Sequence, residues 1–335
     1  MLIITGFIIC AAIIFFAGKK LSVYGDQLAE KTGLSRGWIG MILMASVTSL
    51  PELMVGISSS AIIQSADLAT GDILGSCAFN LCILAMLDAF VPKRQPLTGV
   101  ASPNHMLNAG LGIILLAMVG FGLFLPQDLP VTPWIGTMSI VFILVYLVSV
   151  RVIYRNEKRV AAAVTAADTV VPDRTGLGVT IRNYILFAVV IIAAALTLPW
   201  FAEKLAIMTG LGKSFVGTFF LALSTSLPEI AVSFAAVRLG AFDLSVGNLL
   251  GSNIFNVFIL AIDDIFYTRG LLLKDASEYH LISVLSAILM SAVVIIGLSY
   301  RARGKRFFLA WDAAIIFLFF ILNLVFLYFF TAGQG

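Results

Sequence analysis

Apolar residues run through this chain in long blocks, separated by short stretches where charged and turn-forming residues collect. Blocks near the roughly 20 residues that a helix needs to cross hydrocarbon fall at about 1–18, 37–61, 68–90, 105–124, 132–154, 183–201, 213–238, 243–267, 279–299 and 309–330. The pattern predicts an all-α polytopic membrane protein of ten transmembrane helices.

Composition agrees: of 335 residues, 60% are hydrophobic and only 12% charged, so the bilayer is the expected solvent for most of the surface. No basic residue and no small-residue cleavage site precedes or ends the first block, while Lys19 and Lys20 follow it. This predicts a retained helix with an extracytoplasmic N-terminus. Basic residues collect on the cytoplasmic side of short loops, and the loops after odd-numbered spans, with their flanks, hold seventeen Lys and Arg against four on the other side. Both termini are therefore expected outside and the 155–181 segment in the cytoplasm, with a plasma (inner) membrane as the expected location. The net charge of +3 reflects this orientation and gives no reason to expect nucleic acid. Cys10, Cys77 and Cys82 lie inside spans without metal-ligand spacing and read as structural thiols.

The polar residues inside the spans carry the function. Thr48-Ser49-Leu50-Pro51-Glu52 returns as Thr225-Ser226-Leu227-Pro228-Glu229, and each copy is followed about twenty residues later by Gly-Ser-x-x-Phe-Asn, at Gly75 to Asn80 and Gly251 to Asn256. A shift of 177 aligns the first motifs, Thr32-Gly33-Leu34 with Thr209-Gly210-Leu211, Gly40 with Gly217 and Ala45 with Ala222. A shift of 176 then matches Asp67 with Asp243 and ten further identical pairs from Gly71 to Asp88. Such self-similarity is duplication. Each copy holds five spans, an odd number, so the second enters the membrane upside down, the inverted-repeat layout of many secondary transporters. The predicted units are 1–154 and 182–335, with repeat motifs at 40–88 and 217–264 and a short linker at 155–181.

Thr48 and Glu52 are four residues apart, as are Ser76 and Asn80, Thr225 and Glu229, and Ser252 and Asn256, so on helices each pair shares a face. All lie near mid-span, where an ionised group is costly and faces a partner, a cavity or an ion. Pro51 and Pro228 cannot donate a backbone hydrogen bond and release or displace the carbonyls of Val47 and Ser224. Carboxylate, amide, hydroxyl and carbonyl oxygens form the hard set that calcium prefers and sodium can share. The two glutamates carry −2 if both ionise, enough to balance one divalent or two monovalent ions, which is a motive for exchange. Gly71, Gly75, Gly247 and Gly251 repeat at four-residue spacing and are expected to permit close helix packing. Asp67 and Asp243 are expected at opposite faces, as entrance groups or solvated loop acids. Asp88, Asp263 and Asp264 are expected to reach water at span ends, and His105 and His280 to sit at the interface.

These paired motifs resemble the calcium/cation antiporter superfamily, and most closely its sodium/calcium exchanger branch of prokaryotic type, whose repeats carry G-T-S-x-P-E and then G-N-x-x-G-S-N-x-x-N. The resemblance spans both repeats. It implies an antiporter exchanging calcium for sodium by alternating access at a midplane site, with the first helix of each half sliding past the core. Carried across, the ligands are Thr48, Ser49, Glu52, Ser76 and Asn80 with Thr225, Ser226, Glu229, Ser252 and Asn256, completed by carbonyls near Val47 and Ser224. This chain departs from the motifs in having Val47 and Ser224 for Gly, Asp72 for Asn, and Cys77 for the Asn after Gly-Ser. Both repeats end in an amide, Asn80 and Asn256, which disfavours a potassium-dependent reading, and neither repeat motif contains His, which disfavours proton coupling. Calcium and sodium are the expected substrates, the bilayer the expected surroundings, and neither a cofactor nor an obligatory protein partner is inferred. The alternatives are a proton-coupled calcium or other divalent antiporter, a channel, and an intramembrane enzyme with a carboxylate pair. No H-E-x-x-H, nucleophile elbow or Cys/His arrangement supports the last.

Overall fold

The structure, a computed structural model, describes residues 2–91, 95–124, 134–164, 176–208, 223–305 and 307–331. Its long helices are α1 (Leu2–Thr32), a broken α2 (Arg36–Ile63), α3 (Ala66–Asp88), α4 (His105–Phe124), α5 (Thr137–Val164), α6 (Leu177–Met208), α7 (Leu227–Arg238), α8 (Phe242–Phe266), α9 (His280–Tyr300) and α10 (Trp311–Thr331). Among the described residues nine helices are long and apolar enough to span a bilayer. The tenth predicted span, 213–238, contributes α7, while 213–222, with Gly217, Ala222 and the Thr209-Gly210-Leu211 match, lies outside the described residues. So does 165–175 of the predicted linker, whose flanks belong to α5 and α6.

The helices flanking the linker run longer than expected, α5 to Val164 and α6 from Leu177 to Met208, and the largest boundary shift is at the first helix. The first helix does not stop at residue 18 but runs to Thr32, carrying Lys19 and Lys20 exposed on its side. It continues because Leu21, Leu28 and Ala29 are buried in a cluster that includes Ile191 of α6 and Val232 and Ala236 of α7. Gly33, at φ +69, ends it in a left-handed conformation that a side chain would resist.

Helices α3 and α8 form the centre: 78% and 72% of their most apolar windows are buried, against 17% for α1. They pack on each other; α2, α4, α5 and α7 also contact α8, and α9 and α10 contact α3, while α1 lies mainly against α6 and α7. Exposed Phe16, Phe121, Phe124, Trp200 and Phe329 belong to the outer surface expected to face lipid. Close approach at the centre needs glycine. A Cβ on Gly247 would meet the carbonyl of Gly37 at 2.6 Å, one on Gly251 would strike the backbone of Met41, and one on Gly40 would strike the carbonyl of Leu244. Small residues four apart thus let the first half of α2 and α8 touch backbone to backbone. Of the other pair, Gly71 also permits a close approach, since a Cβ there would meet the His280 ring at 3.2 Å, whereas Gly75 faces open space.

The inverted duplication is visible in matched pairs of contacts. Asp88 accepts from the backbone N–H of Leu97 (2.7 Å) and Ala310 (2.8 Å), and Lys305 lies 3.4 Å from it. Its counterpart Asp264 accepts from the N–H of Leu272 and Gly136 (both 2.8 Å) and from Ser139 Oγ (2.6 Å). Both are almost fully buried and tie the C-terminal ends of α3 and α8 to neighbouring segments, so the expectation that they reach water was wrong. Charge-assisted bonds to otherwise orphaned donors make burial affordable. Likewise Asp67 accepts from Ser277 N–H (2.6 Å) and pairs with His280 (3.1 Å), while Asp243 accepts from Ser102 N–H (2.6 Å) and pairs with His105 (3.1 Å). Each acid keeps solvent access, Asp67 at 59% and Asp243 at 36% exposure, while bound to a histidine, and His105 is buried within the protein.

Candidate functional site: a buried cluster of oxygen ligands

Each motif interrupts its helix at the serine. Ser49 has φ −90 and ψ 9, and Ser226 has φ −84 and ψ 4, outside α-helical values. Pro51 and Pro228 each follow within the first two positions of the resumed helix, where a missing N–H costs least. In the first copy α2 also contains two π-helical turns, Ile39–Met44 and Ser58–Ile63. A π turn accommodates one extra residue. The second turn falls where the repeat shift drops from 177 to 176; over the matching stretch α7 is α-helical to Arg238 and then turns at Gly240.

The breaks let the two motifs meet. Ser49 Oγ donates to Glu229 Oε1 at 3.0 Å, and Ser226 Oγ donates to Glu52 Oε1 at 3.4 Å, so the serine of each repeat holds the glutamate of the other. Ser252 Oγ also donates to Glu229 Oε1, at 3.4 Å. Thr48 Oγ1 lies 3.3 Å from the Ala45 carbonyl and 3.4 Å from Asn248 Oδ1, and Asn80 Nδ2 donates to Asn253 Oδ1 at 3.1 Å. Thr48, Ser49, Glu52, Ser76, Asn80, Ser224, Thr225, Ser226, Glu229, Ser252 and Asn256 are all buried; Val47 alone of the expected set is only partly so, and it packs against the cluster around α1.

The second carboxylate oxygens of Glu52 and Glu229, Ser76 Oγ, Asn80 Oδ1 and both amide atoms of Asn256 have no nitrogen or oxygen partner despite full burial. Leaving such groups dry and unpaired costs about 1–3 kcal/mol each, more when charged. No basic side chain pairs with either glutamate among the described residues. Nor do three His, Cys, Asp or Glu side chains there group as a ready-made metal cage. The arrangement is therefore two carboxylates among neutral oxygens, a donor set suited to a hard cation.

Sequence reasoning missed four residues. Asn248 links Thr48 to Ser233 Oγ, to which its amide donates at 3.0 Å. Asn253 pairs with Asn80 and donates to the Cys77 carbonyl at 3.1 Å, locking α3 to α8. Asn248 could have been found as the repeat partner of Asp72. The others are Asp72 and Asp263, the latter wholly buried with neither carboxylate oxygen hydrogen-bonded. Asp263 was wrongly grouped with the span-end acids. The signal was asymmetry, since Asp264 repeats Asp88 while Asp263 stands opposite Leu87.

Comparison with known proteins adds an independent line. Residues 2–155 and 183–329 match a family described as sodium/calcium exchanger protein. The inner membrane protein YrbG of Escherichia coli is 27% identical over 302 residues, covering 86% of this chain and 89% of its own. The sodium/calcium exchanger MaX1 of Methanosarcina acetivorans is 31% identical over 150 residues, covering 43% of this chain and 41% of its own. Among solved structures, a sodium-calcium exchanger, NCX_Mj, superposes with a TM-score of 0.73 at 19% identity, covering 97% of this chain and 98% of the other.

Proposed function

This chain belongs to the sodium/calcium exchanger protein family, and we propose that it exchanges calcium for sodium by alternating access at the cluster around Glu52 and Glu229. The observation that carries this reading is the reciprocal serine-to-glutamate pairing, which leaves one unpartnered oxygen on each glutamate. Thr48, Ser49, Glu52, Ser76 and Asn80 with Thr225, Ser226, Glu229, Ser252 and Asn256 are the proposed ligands, with carbonyls near Val47 and Ser224. Two glutamates balance one calcium ion or two sodium ions, so either cargo cancels their charge for the crossing. Emptied, the pair would hold an uncompensated charge in a dry interior, a state that opposes movement and enforces exchange.

Helices α1 and α6 are the proposed moving pair. In support, α1 is the least buried of the long helices and packs mainly on α6 and α7 rather than on the α3–α8 centre. We place both termini outside, the 155–181 linker in the cytoplasm and the repeat units at 1–154 and 182–335, on the strength of the seventeen-to-four distribution of basic residues.

The test is ⁴⁵Ca²⁺ uptake into proteoliposomes of the purified full-length protein, driven first by an outward sodium gradient and then by a proton gradient alone. Uptake is expected with sodium and not with protons. Uptake driven only by the proton gradient would replace sodium as the coupling ion, and failure with both would remove calcium exchange as the activity.

A further inference from the structure

Away from the glutamates, Asp72 and Asp263 are buried acids whose repeat-related positions, Asn248 and Leu87, are neutral. Helices α3 and α8 run antiparallel: the start of α3 meets Ser277 and His280 beyond the end of α8, and the start of α8 meets Ser102 and His105 beyond the end of α3. Asp72, near the start of α3, and Asp263, near the end of α8, therefore lie toward the same face. Both are buried; both oxygens of Asp263 and Oδ2 of Asp72 are unpartnered. Asp263 lies against Gly56, four residues beyond Glu52 on α2, so it sits about one turn outward of the central glutamate on the side where α2 leads into α3. Asp264 is already held by three donors, which leaves Asp263 without one.

Room for the Asp263 carboxylate comes from Gly56, where any Cβ would collide with both its oxygens. Ser60, about one turn further along α2, adds a buried hydroxyl with no partner. The repeat-related counterparts of Asp72, Gly56, Asp263 and Ser60 are Asn248, Ser233, Leu87 and Val237: Asn248 donates to Ser233, no acid is present, and the polar groups there satisfy each other. The duplication thus keeps a neutral lock toward one face and has a charged, unsatisfied counterpart toward the other.

We propose that Asp72 and Asp263, with Ser60, form a second station for a hard metal cation, sodium or calcium, between Glu52 and the face marked by Asp67. A proton competes for the same two carboxylates, and the binding counts below separate the two occupants. A cation between two carboxylates needs no contact between them and neutralises both. The station goes beyond the exchange reading and rests on it only in taking the central cluster as a cation site.

Equilibrium binding of ²²Na⁺ and ⁴⁵Ca²⁺ to the purified full-length protein, counted per molecule, tests this. Asp263→Asn is expected to lose one bound ion, or to weaken its binding at least tenfold, while the ion held at the central glutamates keeps its affinity; which isotope changes identifies the ion. Gly56→Ser, which puts a side chain where the carboxylate lies, and Asp72→Asn, which restores the amide of the other half, are expected to do the same if Asp263→Asn does not fold. Wild-type counts and affinities in whichever of these variants fold would overturn the station, as would unchanged counts with a shifted pH dependence of transport. Glu229→Gln tests the central reading separately, since it is expected to lose the central ion and keep the second.

Discussion

Replacing Glu229 by Gln removes one negative charge from the central cluster and changes almost nothing else. The amide oxygen can still accept from Ser49 (3.0 Å) and Ser252 (3.4 Å), so the contact between repeats survives. A carboxylate oxygen about 2.4 Å from calcium, at an effective dielectric near 20, contributes about 7 kcal/mol per unit of ion charge. Rehydration of the ion and the amide oxygen that still ligates return most of this. If about 3–4 kcal/mol survives, calcium binds roughly 10²- to 10³-fold more weakly. Isothermal titration of detergent-purified protein, beside its thermal unfolding in cation-free buffer, separates lost binding from lost folding. A variant that folds like wild type and binds calcium within about threefold of it would refute the assignment of Glu229 as a ligand.

Other outcomes follow from the same contacts. Ser49→Ala removes the shorter of the two serine-to-glutamate bonds between repeats and is expected to weaken calcium binding by about fivefold to tenfold, near 1–1.5 kcal/mol; Ser226→Ala, whose bond to Glu52 is longer, should cost less in the same titration. Gly251→Ala forces a methyl into the backbone of Met41 and should destabilise the protein by about 1–3 kcal/mol or more, read as a lower thermal midpoint. Gly75→Ala, facing open space, should leave that midpoint near wild type. Asp264→Ala strands two backbone N–H groups and the Ser139 hydroxyl, each at about 1–3 kcal/mol, and is expected to abolish recovery of folded protein on size-exclusion chromatography. Asp263→Asn, in contrast, removes a buried charge with no partner and should raise the midpoint in cation-free buffer, a sign opposite to that of its neighbour.

The sequence by itself determined the architecture. Ten apolar blocks, a motif written twice and an odd number of spans per copy leave little freedom, because a membrane admits only helices whose backbones satisfy themselves and an odd repeat must invert. Depth and four-residue spacing likewise picked out Glu52 and Glu229, since a mid-span carboxylate has few other reasons to exist. Tertiary structure decided which of the remaining acids are structural. Asp88, Asp263 and Asp264 look alike in a one-dimensional reading, each a carboxylate near the end of an apolar run. Donors brought from distant segments, Ala310 to Asp88 and Gly136 to Asp264, make two of them staples and leave the third unpaired. The reciprocal grip of Ser49 on Glu229 and of Ser226 on Glu52 was equally invisible, for it joins residues 180 and 174 positions apart. Hydrophobic periodicity reports where a residue sits relative to lipid; which partner satisfies a buried charge is set by contacts between segments, and those exist only once the helices have packed.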